Sequence, residues 1–151
     1  MNWILSALVL AATAQQPAPA VEMTPVEKEF QQMMSNVILV GHFTLGDKTE
    51  LYDDRYVIEG VTKVKDGLWR FAARVQFSNK DVAVAINVPV FFADTTPVLS
   101  LPRQAIQGLG MYEARIVIYK GGYAGTWGGG TGGGKMFGDI VKNDAPSAVK
   151  P

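Results

Sequence analysis

The sequence predicts a mainly β fold, an antiparallel meander of about eight short strands closing into a small barrel or half-barrel, preceded by one short helix. Three observations predict it. From Val37 onward apolar residues recur with period two, most clearly where Trp69, Phe71, Ala73, Val75 and Phe77 alternate with Arg70, Ala72, Arg74 and Gln76. Turn signals separate the alternating stretches: Gly46-Asp47, Lys65-Asp66-Gly67, Ser78-Asn79-Lys80, Ala93-Asp94 and Gly121-Gly122. Closure is the economical way for such a meander to protect its strand edges.

The elements are taken in chain order. Residues 1–14 have the pattern of a secretory signal: an apolar run over 4–12 too short to span a bilayer, then Ala12-Thr13-Ala14 as a small-x-small cleavage site. The expectation is an exported chain, secreted or periplasmic, with no transmembrane span after cleavage. Residues 15–23 read as a Pro/Ala linker. One domain then covers 24–142, and 143–151 form a tail. Thr24-Pro25-Val26-Glu27 combines a capping threonine, a proline at the first helical position and the glutamate of a capping box. It opens a helix over 25–34 whose stripe of Val26, Phe30, Met33 and Met34 suits a plug for one barrel end or a cover for a sheet. Strands are expected near 37–45, 55–64, 68–77, 82–92, 98–101, 111–120, 123–128 and 135–141. Pro89 cannot donate to a ladder, so its strand bulges or lies at an edge there.

Composition narrows the chemistry. The chain has 151 residues, 48% hydrophobic and 19% charged, as a single packed domain requires. Its 14 basic and 14 acidic side chains cancel, which argues against nucleic acid as a partner. The absence of cysteine removes disulfides, thiolate metal sites and cysteine nucleophiles. No cofactor is expected.

The glycine-rich run around Tyr123 to Phe137 reads as a loop between two strands. Gly128, Gly130 and Gly133 fit G-x-G-x-x-G, and Gly129 with Gly134-Lys135 fits most of a phosphate loop. Met136 stands where a magnesium-binding hydroxyl belongs, however, and the residues beyond read as strand, where both motifs need a helix. His42, the single histidine, lies mid-strand on one face with Val40 and Thr44. It rules out any metal site needing two imidazoles, and no serine stands on a nucleophile elbow. No catalytic set is expected, and the reading is non-enzymatic. Asp47, Glu50, Asp53 and Asp54 form an acidic cluster that either holds a hard cation or is a solvated loop. Arg70 and Arg74 share a polar strand face and either line a pocket for an anionic group or point to solvent. Tyr123, Trp127 and Phe137, joined by Arg70, Arg74 and His42, are the candidate ligand contacts. The ligand expected is small and apolar or amphipathic, with an envelope protein partner as the alternative.

Two resemblances accompany this reading. Gly125-Thr126-Trp127 resembles the Gly-x-Trp element of calycin-type barrels, although in lipocalins that element opens the barrel and here it comes near the end. More widely, Val40-Gly41-His42-Phe43-Thr44, then Tyr56, Ile58, Val61 and Lys63-Val64, then Leu68-Trp69, Phe71 and Ala73-Arg74, and finally residues 123–127 with Met136-Phe137-Gly138 resemble a group of uncharacterised secreted bacterial proteins. That resemblance implies export and a single small domain, and assigns no activity.

Overall fold

The computed structural model describes residues 20–130 and 132–144, except for the side chain of Phe77. The expected signal segment, most of the linker and most of the C-terminal tail lie outside the described residues. One helix, α1 (Pro25–Met33), leads into eight strands: β1 (Val37–Phe43), β2 (Tyr52–Lys65), β3 (Leu68–Phe77), β4 (Lys80–Ala93), β5 (Thr96–Ile106), β6 (Gly110–Tyr119), β7 (Gly122–Gly129) and β8 (Gly132–Lys142). Each strand pairs antiparallel with its sequence neighbours, and β8 returns to pair with β1, so the barrel is closed. All eight expected strands are present.

Two elements differ from expectation. β5 extends well past Leu101, because a register shift between Leu101 and Gln104 absorbs Pro102 and lets the ladder with β6 resume. The glycine run is strand almost to its tip: Gly128 pairs with Gly133 and Gly129 with Gly132, and Gly130 takes the positive φ that the turn requires. The chain continues from there as β8, so no helix N-terminus faces the glycines and the phosphate-loop pattern has no structural counterpart.

The helix begins as its capping box dictates. The Thr24 hydroxyl accepts from the Glu27 N–H, and the Glu27 carboxylate accepts from the Thr24 N–H at 2.8 Å. Its apolar stripe enters one barrel end. Phe30 is 1% exposed and Met34 fully buried, with the Phe30 ring 5.0 Å from Trp69 in an edge-to-face contact and 5.7 Å from Phe92. The Trp69 indole N–H has no acceptor among the described residues, so packing alone holds that ring. Polar ties fix the helix to the rim. Lys63 meets Glu27 at 2.9 Å and Asp66 at 2.8 Å, and the Gln31 side chain donates to the Val61 carbonyl. No helix among the described residues is long and apolar enough to cross a membrane.

Phe30 joins the helix to two strands at once, through Trp69 and Phe71 on β3 and Phe92 on β4. Phe30→Ala is therefore expected to destabilise the fold by about 3–5 kcal/mol, read by urea denaturation, whereas Lys28→Ala on the exposed face is expected to fall within about 0.5 kcal/mol.

Candidate functional site

Strand parity sorts the candidate residues. On β7, Tyr123 and Trp127 point into the barrel, and on β8 Met136 does so, which sends Phe137 outward. The three aromatics expected to share one site are thus divided: Trp127 lines the interior cavity, while Tyr123 and Phe137, on opposite faces of the wall, border a second, larger groove together with His42. Arg70 and Arg74 also point outward. Arg74 pairs with Asp81 at 3.0 Å and Arg70 lies exposed, so neither lines the interior.

Inside the barrel is an apolar cavity of about 210 Å³, bounded at one end by Met34 and at the other by Phe43, Tyr112 and Trp127. Its walls are Leu39, Ile58, Phe71, Val84, Ile86, Leu101, Ile106, Ile116 and Met136, with Tyr56 among them. The polar groups of this lining are mostly engaged. The Trp127 indole N–H donates to the Thr44 carbonyl at 3.3 Å, and the Tyr56 hydroxyl donates to Asp54 at 2.9 Å. The Tyr112 ring stacks on Trp127 at 6.2 Å and lies against the bare backbone of Gly129. Its hydroxyl makes no hydrogen bond among the described residues, and it and the Glu113 carboxylate are the other polar groups of the lining.

Beside the cavity lies a buried carboxylate. Asp54 is 4% exposed and accepts from both Tyr56 and Tyr123, the latter at 3.1 Å. Tyr123 reaches it across two intervening strands, because the register aligns Tyr123 with Gly138, Gly138 with Gly41, and Gly41 with Asp54. A Cβ at Gly41 would meet the Tyr123 hydroxyl, and one at Gly138 would meet its ring. Only glycine at both positions leaves the phenol room to lie along the inner wall. Burial pushes the Asp54 carboxyl above the usual aspartate range; the two tyrosine donors and His42 oppose the shift, and Asp53 adds to it. Burial, and after it the Asp54 charge, raises both phenols, so they stay protonated and act as donors.

The larger groove, of about 1190 Å³, runs over β6, β7, β8, β1 and β2, bordered by Asp54 and Tyr123 as well as by outward-facing side chains. Val40, Val117, Tyr119 and Phe137 are exposed along it, with His42 at its middle. His42 Nδ1 stands 2.9 Å from Asp53 Oδ1, and its ring lies 5.9 Å from that of Phe137. Ser78 lines the same groove, but on the far side of Asp53. Two strand spacings, roughly 10 Å, separate it from His42, which is not the order of a nucleophile–base–acid relay. The acidic cluster divides as well. Asp47 and Glu50 lie in the exposed β1–β2 loop, Asp53 points out and Asp54 in, and no metal-holding group of three such side chains occurs among the described residues.

Sequence reasoning singled out Trp127, which faces the cavity, and missed the Tyr123–Asp54–Tyr56 network. The available signal was glycine at mid-strand positions 41 and 138, where a neighbouring ring needs room. Tyr123→Phe removes one of two donors to a buried carboxylate and is expected to cost about 1.5–3 kcal/mol near neutral pH by urea denaturation. Because the folded value of Asp54 lies above its unfolded one, its stabilising contribution is full below the unfolded value and is lost as pH rises through the folded one. The advantage of the native protein over Asp54→Asn is therefore expected to be largest below about pH 3.9 and to shrink toward neutrality, which the same titrations across that range will read. No protein-family model, curated protein or solved structure matches this chain.

Proposed function

We propose that this protein is an exported, non-catalytic binding protein whose barrel holds one small apolar or amphipathic ligand. The observation that carries this reading is the apolar cavity of about 210 Å³ behind Trp127 and Tyr112. Native interiors are packed with few voids larger than a water molecule, so a space of this size lined by Leu, Ile, Val, Phe and Met side chains is too large for an ordinary packing defect. Its size sets the ligand class. An apolar cavity of about 150 Å³ accepts benzene, so this one suits a compact molecule of roughly ten heavy atoms, such as a one- or two-ring compound or a short acyl chain. The Tyr112 hydroxyl gives such a molecule one polar contact at the rim. The apolar run and small-x-small site at the N-terminus support export.

A second reading, an envelope assembly protein, draws on the outer groove. Val40, Val117, Tyr119 and Phe137 expose apolar surface on one face of the wall, where a protein partner can seat.

The two readings separate by experiment. Native mass spectrometry of the protein from its own envelope fraction is expected to show a retained small molecule. Iodobenzene, a heavy-atom quencher small enough for the cavity, is expected to quench Trp127 saturably, and Ala114→Phe, which fills the space from β6, is expected to abolish that quenching while the fold persists. Retention of a stoichiometric protein partner that is lost on Phe137→Ser, with no saturable quenching, would favour the second reading instead.

A further inference from the structure

We propose that the cavity exchanges its occupant sideways through the barrel wall, between β4 and β5. This rests on the cavity being a binding site and names the route into it. Both ends are crossed by packed aromatic side chains. Phe30, Met34 and Trp69 seal the helix end at 1% exposure or less. At the opposite end Phe43 packs edge-to-face on Trp127 at 5.6 Å, Trp127 stacks on Tyr112, and the indole is tied to Thr44.

The wall between β4 and β5 is different. Their ladder runs only from Val90–Leu99 to Ala93–Thr96, although both strands continue well beyond it. The reason lies in the sequence. The Val90 N–H donates toward β3, to the Gly67 carbonyl at 2.9 Å, so by alternation the preceding backbone nitrogen faces β5. That residue is Pro89, which has no proton to give, and the ladder ends there. On β5, Pro102 sits within the register shift against β6. Further from the ladder the inward face of β4 opens: Val88 and Val90 are buried, whereas Val84 and Ile86 are only half-buried. Val84 and Ile86 on one lip and Leu101 and Ile106 on the other line the cavity directly. The lips are bridged by one exposed side-chain contact, from Gln104 Nε2 to the Asn87 carbonyl at 3.3 Å, and by Gly108 beside Val82. An apolar slit closed by so little can part without disturbing the rest of the wall.

The test uses the absence of native cysteine. Ala85 and Ala105 are exposed residues on the two lips, outside the cavity lining. Ala85→Cys with Ala105→Cys, joined by a flexible linker containing a cleavable disulfide, ties the slit shut. Phe91→Cys with Val98→Cys, joined the same way, ties the paired part of the ladder as a control. Iodobenzene entry is followed by stopped-flow quenching of Trp127. The expected result is association and dissociation both slowed about tenfold or more in the linked Ala85/Ala105 protein, with Kd little changed, rates restored on cleavage and no slowing in the control. Equal rates before and after cleavage, or equal slowing in the control, would overturn the lateral route while leaving the binding reading intact. Absence of saturable quenching in the cleaved protein would overturn both. If the double variant does not fold, Gln104→Ala decides: faster exchange supports the route, and unchanged exchange overturns it.

Discussion

A meander becomes a barrel only when its first and last strands meet, and here that seam is narrow in side chains. β1 and β8 contribute Gly41 and Gly138 at the point where they face one another, so the wall is bare backbone there. Tyr123 covers it. Its ring lies over both glycines, and its hydroxyl reaches Asp54 on the far side, so one side chain spans β7 to β2 and ties the seam from within. The carboxylate that receives it is costly to bury and is tolerated because two phenols serve it. Remove the glycines and the ring has no place; remove the ring and a charge is left half-satisfied against an apolar interior.

The same economy shapes the ends. The helix supplies Phe30 and Met34 as a plug, and the opposite end is crossed by the stacked rings of Trp127 and Tyr112. Between them the core residues do not meet, and the cavity is the space they leave. The wall is sealed where the ladder is complete and looser where Pro89 ends it. The cavity and the gap in the ladder thus arise from different residues, the first from side-chain volume and the second from a missing backbone donor.

Most of the fold was legible in the sequence because its signals are local. Alternation marked β3 residue by residue, and the capping box and the Phe30 stripe marked the helix. The site was less legible, for a reason visible in β7 and β8. Strand faces are assigned by contrast between alternate side chains, and a run of glycines offers none, so Phe137 could be set beside Trp127 when it lies on the opposite face. The partnership of Tyr123 with Asp54 depends on the register of four strands joined across the whole chain, which no local pattern carries. Pro89 is the intermediate case: its inability to donate was plain, but which neighbouring strand would lose the bond was not.

The closing ladder joins Val37 to Lys142 and Phe43 to Met136, pairs whose members are nearly the full length of the domain apart. Every other ladder joins strands adjacent in sequence and can form as its hairpin is made. As the chain leaves the ribosome β1 emerges first and its second partner last, so β1 carries an open edge until β8 has been synthesised. In that interval its outer neighbour can be any other unpaired strand, and the run Val37–Phe43 is apolar enough to accept one. The final hairpin, spare in side chains and quick to turn at Gly130, is thus the segment whose arrival ends the period in which the protein can be captured by another copy of itself.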